Sequence, residues 1–254
     1  MSKKYCVAPQ KTDFMTSTQN RVLQFEDLGL MEYEPAFTYQ QELMDSIISL
    51  KLHNRDHEDD RKITPNHFLF VEHPHVYTLG KSGSQEHLLA DQLKLRDLKA
   101  KFVQTNRGGD ITYHGFGQIV AYPILDLDNF KSDIFLYMRN LEEVIIRVIA
   151  EYGLKGERSE GETGVWLDVG TPYARKICAM GVKTSKWVTM HGLALNVNTD
   201  LKYFDYIIPC GIRDKAVTSL ERELERSFST EETAEIKEKI LRHFSAVFEA
   251  TFEQ

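Results

Sequence analysis

Residues 176–211 read KICAMGVKTSKWVTMHGLALNVNTDLKYFDYIIPCG, and the rest of the chain is organised around them. Gly164-Val165-Trp166-Leu167 opens a strand just before this stretch, and Ala194-Leu195-Asn196-Val197-Asn198 gives it a half-buried alternation near its end. Two of the chain's three cysteines, Cys178 and Cys210, lie here together with Lys176. A thiol is a usable nucleophile only as thiolate, and a nearby ammonium lowers its pKa from about 8.5 toward neutrality. Cys210 sits in Pro209-Cys210-Gly211 after the apolar run Tyr206-Ile207-Ile208, so a strand is expected to end and the chain to turn there. Catalytic side chains favour loops held by rigid elements. Cys178 lies inside the apolar run Ile177-Cys178-Ala179-Met180, the setting of a packed thiol. Alternation at period 2 nevertheless puts it on one strand face with Lys176, so the residues alone leave both cysteines open. Lys176 and Cys210 are the candidate pair.

Working outward, Pro35 to Leu52 has apolar residues near helical spacing and reads as an amphipathic helix. The charged segment from His53 to Asn66 reads as a solvated loop whose histidines lack metal-ligand spacing. A buried strand over His67–Glu72 stops at His73-Pro74, and Val76–Leu79 forms a second segment ending at Gly80. A short helix near Asp91–Leu98 and a strand near Phe102–Gln104 lead to the most glycine-dense stretch, RGGDITYHGFGQ from Arg107 to Gln118. Glycines there let main chain turn sharply and approach a ligand closely. This is neither a P-loop nor a GxGxxG opening a helix; a hairpin into the strand Ile119–Leu125 is the plain alternative. Asp133–Tyr152 is the clearest helix, and a last amphipathic one spans roughly Glu231–Phe252. Strands and helices mixed without βαβ alternation indicate an α+β fold, a mixed sheet flanked by helices. Residues 1–20 are polar and patternless, an expected flexible arm before one catalytic domain over 21–254.

Hydrophobic residues at 42% and charged residues at 27% are globular values, which exclude a disordered chain. No apolar run approaches the ~18 residues of a spanning helix, and no signal-peptide stretch opens the sequence, so a cytoplasmic protein without membrane partners is expected. Three cysteines without framework spacing suit a reducing compartment. The net charge of −7 argues against a nucleic-acid partner. No CxxC or HExxH occurs, so no metal is expected. Arg175, Lys176, Lys183 and Lys186 form a local basic cluster, the last two readable as charges protecting a sheet edge.

Four stretches in order, RGGDITYHGFGQIVAYPILDL, KICAMGVK, HGLALNVNTDL and IIPCG, together with EHPHVYTLGKSG before them, resemble the octanoyltransferases that begin lipoate assembly. The resemblance covers about Phe68 to Gly211, with Phe116 standing where that family usually has proline. It implies the fold of biotin and lipoate protein ligases. It also implies transfer of an octanoyl group from octanoyl-acyl carrier protein to a lysine of lipoyl domains, or of the glycine-cleavage H protein, without ATP or metal. Its nucleophile falls on Cys210 and its partner lysine on Lys176. Its substrate-contacting residues fall on Arg107, Gly108, Gly109, Asp110, Ile111, Thr112, Tyr113 and His114, on Ala179, Met180 and Gly181, and on Gly192, Leu193 and Ala194. His73 and His114 are pocket candidates, and His191 a positioning residue. The competing readings are an ATP-dependent lipoate or biotin ligase, a non-catalytic module that binds carrier protein, and a cysteine hydrolase.

Overall fold

The apolar run Phe68-Leu69-Phe70-Val71 is buried on both sides: Phe68 and Phe70 enter one hydrophobic cluster, Leu69 and Val71 another. A strand with two dry faces needs helices on both sides of its sheet. The computed structural model, which describes residues 19–208 and 216–253, supplies them. In chain order come β1 (Val22–Leu30), α1 (Tyr33–Asp56), β2 (Asn66–Glu72), β3 (Val76–Leu79), α2 (Gln92–Asp97), β4 (Lys101–Gln104), β5 (Ile111–His114) and β6 (Gln118–Ile124). They are followed by α3 (Ile134–Ala150), β7 (Val165–Leu167), β8 (Arg175–Ser185), β9 (Val188–Asn196), β10 (Ala216–Val217), α4 (Leu220–Leu224), α5 (Thr230–Phe248) and β11 (Thr251–Phe252).

The main sheet runs β10-β8-β9-β6-β2-β1-β11 with β7 added against β8, and β4-β3-β5 form a second, three-stranded sheet. Parallel pairs (β1 with β2) and antiparallel pairs (β6 with β9) make the main sheet mixed. On one face α3 presents Leu141, Val144, Ile145 and Val148, and α5 presents Ile236, Ile240, Phe244 and Phe248, each a helical stripe. The Asp133 side chain caps α3 by accepting the Leu136 N–H, and Ser229 with Glu232 closes a capping box on α5. On the other face α1 lays down Ala36, Gln40, Met44 and Ile47 at spacings of four, four and three residues. The helical readings at Pro35, Asp91, Asp133 and Glu231 correspond to α1, α2, α3 and α5.

Three readings change. The strand expected through Tyr206-Ile207-Ile208 is a 3-10 turn over Leu201–Tyr206, capped by Asp200, after which Ile207 makes a single bridge to Leu88. Capping by Asp200 starts a helical turn, and the apolar side chains bury against the small sheet rather than in a ladder. The glycine-dense stretch is not a hairpin, because β5 belongs to the small sheet and β6 to the large one, so Gly115–Gly117 is the crossing between them. Lys186 lies in a turn and not along a strand edge. Among the described residues β8 pairs at Lys183 with β9 alone, and the lysine donates to Gln41 Oε1 at 3.2 Å, while Lys186 forms with Trp187 the two-residue turn joining β8 to β9. Both turn residues have positive φ, 49° and 65°, as the twist-matched hairpin turn requires.

Of the expected arm, residues 1–18 lie outside the described residues, and Asn20 is anchored through Thr64 O at 3.0 Å and Asn129 Oδ1 at 3.2 Å. Among the described residues no helix is long and apolar enough to cross a membrane. Phe244 tests the α5 interface: it is fully buried, stacked on Phe248 at 4.1 Å between centroids and edge-on to Phe68 at 4.8 Å. Phe244→Ala is expected to cost about 3–5 kcal/mol of unfolding free energy, read as a lowered denaturant midpoint at unchanged slope.

Candidate active site

The site begins with a close approach of main chain to sheet. Gly181 and Gly192 are register partners on β8 and β9. A Cβ on Gly181 would stand 2.9 Å from Gly108 O, and one on Gly192 would stand 2.2 Å from Ala121 O. Because Gly181 has none, the loop 107–110 lies directly on β8, with Gly108 N–H donating to Val182 O at 2.9 Å. Its other side is stitched to the chain leaving β3: Gly80, Lys81 and Ser82 donate their N–H groups to Asp110 O, Arg107 O and Gly109 O at 3.1, 2.9 and 3.1 Å.

Beneath this loop lies a cavity. Arg107, Gly109, Asp110, Ile111, Thr112 and His114 border it from above, Ala179, Met180 and Gly181 from β8, and Gly192, Leu193 and Ala194 from β9. Lys176 completes the β8 wall. Three expected residues stand off the cavity. Gly108 is turned to β8; Tyr113 alternates to the other side of β5 and packs on Tyr77, Tyr203 and Phe204. His73 lies behind Tyr122, whose O–H it accepts at 2.8 Å. Cys210 falls outside the described residues, between Ile208, whose N–H donates to His87 O at 2.8 Å, and Val217, which pairs with Lys176 and lines the cavity.

Cys178 separates from Lys176. A register shift between Val165 and Trp166 interrupts the β7–β8 ladder, so Lys176 and Ala179 border the cavity while Cys178 enters the hydrophobic core, fully buried. Burial pushes its thiol well above the ordinary range, against smaller opposing effects of a backbone hydrogen bond and the Lys176 charge. Lys176 instead places Nζ over the Trp166 ring, 4.5 Å from its centroid.

The buried histidines are neutral. Burial lowers His73 to about 4 and His114 and His191 to about 3. Their partners assign the protons: His73 Nδ1–H donates to Met31 O at 2.7 Å, His114 Nδ1–H to Gln118 Oε1 at 2.8 Å, and His191 Nε2–H to Asn106 Oδ1 at 2.8 Å. His191 has φ +61, a conformation stabilised because its N–H donates to the buried Gln40 Oε1 at 2.9 Å. Arg107, also buried, donates to Thr78 O at 2.6 Å and Thr78 Oγ1 at 3.0 Å. Arg107 and Lys176 are thus the fixed cations of the cavity wall. Among the described residues no group of three His, Cys, Asp or Glu side chains is placed to hold a metal ion.

Sequence reasoning missed Tyr33, Val120, Tyr122, Thr163 and Phe204 on the wall. Val120 and Tyr122 could have been read from the period of β6, whereas Tyr33 and Phe204 arrive by tertiary packing. Glu142 carried no reading of its own in the sequence. It is fully buried, accepts the Gly164 N–H at 3.1 Å, and pairs with Arg139 and Arg158 at 3.0 and 3.2 Å. It thereby fixes the turn that carries Thr163.

This sheet, with a glycine loop lowered onto it over an apolar slot, defines a class. Residues 33–245 match the Lipoyl protein ligase A/B catalytic domain, and the chain belongs to that family. Solved relatives show the same fold at low identity. A chain of the bi-partite lipoate protein ligase system of Thermoplasma acidophilum aligns at TM-score 0.64 and 18% identity, covering 93% of this chain and 86% of that one. Lipoate-protein ligase A bound with ATP aligns at TM-score 0.64 and 16% identity, covering 92% and 88%. Sequence relatives narrow the class. The octanoyltransferase of Flavobacterium psychrophilum is 59% identical over 232 residues, 91% of this chain and 99% of its own length. That of Bacteroides fragilis is 49% identical over 220 residues, 87% and 95%. Within the family the chain stands among octanoyltransferases, and it is an acyltransferase of lipoylation.

The neutral histidines carry a pH signature. Their folded pKa values lie below the unfolded 6.5, so the unfolded chain binds more protons as pH falls from about 6.5 toward about 4 for His73 and about 3 for His114 and His191. Their contribution is therefore present above pH 6.5 and is lost through that window. Unfolding free energy measured in denaturant is expected to fall by up to about 1.4 kcal/mol per pH unit for each histidine. His191→Gln should flatten the slope by about one proton.

Proposed function

We propose that the chain accepts an octanoyl group from the phosphopantetheine thioester of acyl carrier protein onto Cys210. It then passes the group to a lysine amine of a lipoyl domain, the substrate class named with the T. acidophilum ligase. The observation that carries this is the position of Lys176. It lines an apolar cavity opposite Val217, and Val217 and Phe204, which flank the segment bearing Cys210, both line the same cavity. A reducing cytoplasm suits a free reactive thiol.

In the first half-reaction the Cys210 thiolate attacks the thioester carbonyl. The C–S bond to pantetheine breaks, and Lys176, as ammonium, gives its proton to the departing thiolate. In the second, the acceptor amine attacks the acyl-enzyme, neutral Lys176 takes a proton from that amine, and the Cys210 thiolate leaves. Exchange between thioesters is nearly isoenergetic and amide formation runs downhill, so the sequence needs no ATP. Arg107 and Lys176 favour the negative charge that develops, while the neutral histidines add none of their own. Main-chain N–H groups of the glycine loops are the candidates to hold the oxyanion, a donor typically contributing ~3 kcal/mol. Ile111, Val120, Leu193, Ala194 and Met180 give the slot its apolar walls, each buried methylene contributing ~0.8 kcal/mol.

The deciding experiment is intact mass after mixing the enzyme with octanoyl-acyl carrier protein in the absence of ATP, followed by peptide mapping and addition of a lipoyl domain. An octanoyl adduct on Cys210 that moves to the acceptor is expected. Modification seen only with ATP and free octanoate would overturn the reading in favour of a ligase. Cys210→Ala should abolish transfer, whereas Cys178→Ala should affect packing alone, and activity surviving the first substitution would sink the mechanism. Lys176→Ala should slow both half-reactions and raise the pH midpoint of thiol alkylation at Cys210.

A further inference from the structure

Trp166 is 3% exposed, and it sits directly across the ladder from Lys176 on an adjacent strand. Its strand is held on both sides. One edge of β7 pairs with β8; on the other, Trp166 exchanges N–H···O bonds with Glu157 at 2.8 and 3.0 Å. The indole therefore has little freedom. Lys176 Nζ lies 4.5 Å from the ring centroid, and its aliphatic stem passes Gly164, where an added Cβ would stand 3.5 Å from Cδ. Gly164 is in turn fixed by its N–H to Glu142. The stem and the charged head of the lysine are each aimed by a separate rigid neighbour.

From this geometry we infer that Trp166 is a positioning residue for the acyl transfer, its ring face setting both the location and the proton affinity of the Lys176 amine. The inference rests on the acid and base roles proposed for Lys176. A cation over an indole face is attracted by the ring quadrupole, whereas a neutral amine is not, so the ring favours the ammonium.

Among the described residues, the charged and titratable groups on the elements around Lys176 include Cys178 and Arg175 on its own strand, Glu142, Glu157 and Glu162 on neighbouring segments, and Arg107 and His114 at the cavity. Glu142 is held between Arg139 and Arg158, Glu157 by Lys155, and Glu223 by Arg175, while Glu162 accepts the Ser159 hydroxyl. Trp166 meets the amine through its ring face, a different kind of contact from an ion pair. A desolvated carboxylate would pin the lysine as ammonium through the whole cycle. The ring biases it by only about half to one pH unit. The amine stays oriented while its proton can still leave and return.

The test uses the full-length enzyme in a Trp187→Phe background, so that Trp166 is the single tryptophan of the chain. Fluorinated tryptophans are incorporated biosynthetically, since fluorine drains the ring face while nearly preserving its shape. The Lys176 midpoint is followed by carbon-13 NMR at Cε, assigned by its loss in Lys176→Ala. Deacylation by the lipoyl domain is measured against pH in parallel. Expected is a Lys176 midpoint that falls stepwise with fluorination, by about half to one pH unit in all, with the deacylation profile moving alongside. Trp166→Phe should fall between, and Trp166→Leu should show the full loss where it folds. A midpoint unmoved across the fluorinated series, with rates unchanged or lowered equally at all pH, would overturn the inference and leave the lysine's roles intact. A midpoint that moves while deacylation ignores it supports the ring's hold on the ammonium and overturns the acid–base reading instead.

Discussion

The structure depends on one contact, the main chain of loop 107–110 resting on β8 at Gly181. A sheet surface normally carries side chains that keep other backbone several ångströms away. At Gly181 that layer is missing, and a Cβ there would stand 2.9 Å from Gly108 O. The loop comes close enough for Gly108 N–H to reach Val182 O, and no Cβ stands in the way. Everything that roofs the cavity follows from this seat. Arg107 turns inward to Thr78, the 80–82 segment closes over the loop, and β5 leaves toward the small sheet. Two sheets that share no ladder are thus joined at the place where a slender apolar group would lie.

The electrostatics follow from burial rather than from the number of ionisable groups. Three histidines next to one another would be a strongly cationic wall if protonated. Their desolvation keeps them neutral near pH 7, and each donates its one N–H to an acceptor that cannot donate in return or is oriented to accept. They serve as rigid spacers, with Tyr33 stacked on His114 and His73 edge-on to both. Positive charge is concentrated in Arg107 and Lys176. A buried guanidinium with two oxygens of Thr78 has no means of moving, whereas an ammonium over an indole can exchange a proton without losing its seat.

What could be read from the sequence was whatever repeats with a local period. Phe68–Val71 announced a strand dry on both faces, and Leu141, Val144, Ile145 and Val148 a helix stripe, because those patterns are set by neighbours along the chain. The glycine and motif residues pointed to one site, and the structure gathers Arg107, His114, Gly181 and Gly192 around one cavity. Other features were illegible for stated reasons. Strand β1, VLQFEDLGL, is mostly exposed and lacks clean alternation, so only its pairing with β2 and β11 makes it a strand. Tyr206–Ile208 looked like a strand because apolar β-formers cluster there, but Asp200 caps a turn first. Tyr33 reaches the cavity through the docking of α1, which no local pattern encodes.

The two readings of Cys178 show how a single register shift decides chemistry. Under strict alternation, residues 176 and 178 would share a face, and the thiol would stand beside the ammonium. The shift between Val165 and Trp166 rotates the strand by one residue at Ile177, so Lys176 turns to the cavity and Cys178 to the core. There the thiol is desolvated and its thiolate strongly disfavoured, whatever charge lies a few ångströms beyond. The nucleophile proposed for this cavity therefore lies outside the sheet. The segment proposed to supply it lies between Ile208, whose N–H donates to His87 O, and Val217, which pairs with Lys176. The bulge that buries Cys178 in the core also turns Lys176 to the cavity, which is why the proposed pair is drawn from different elements and not from one strand.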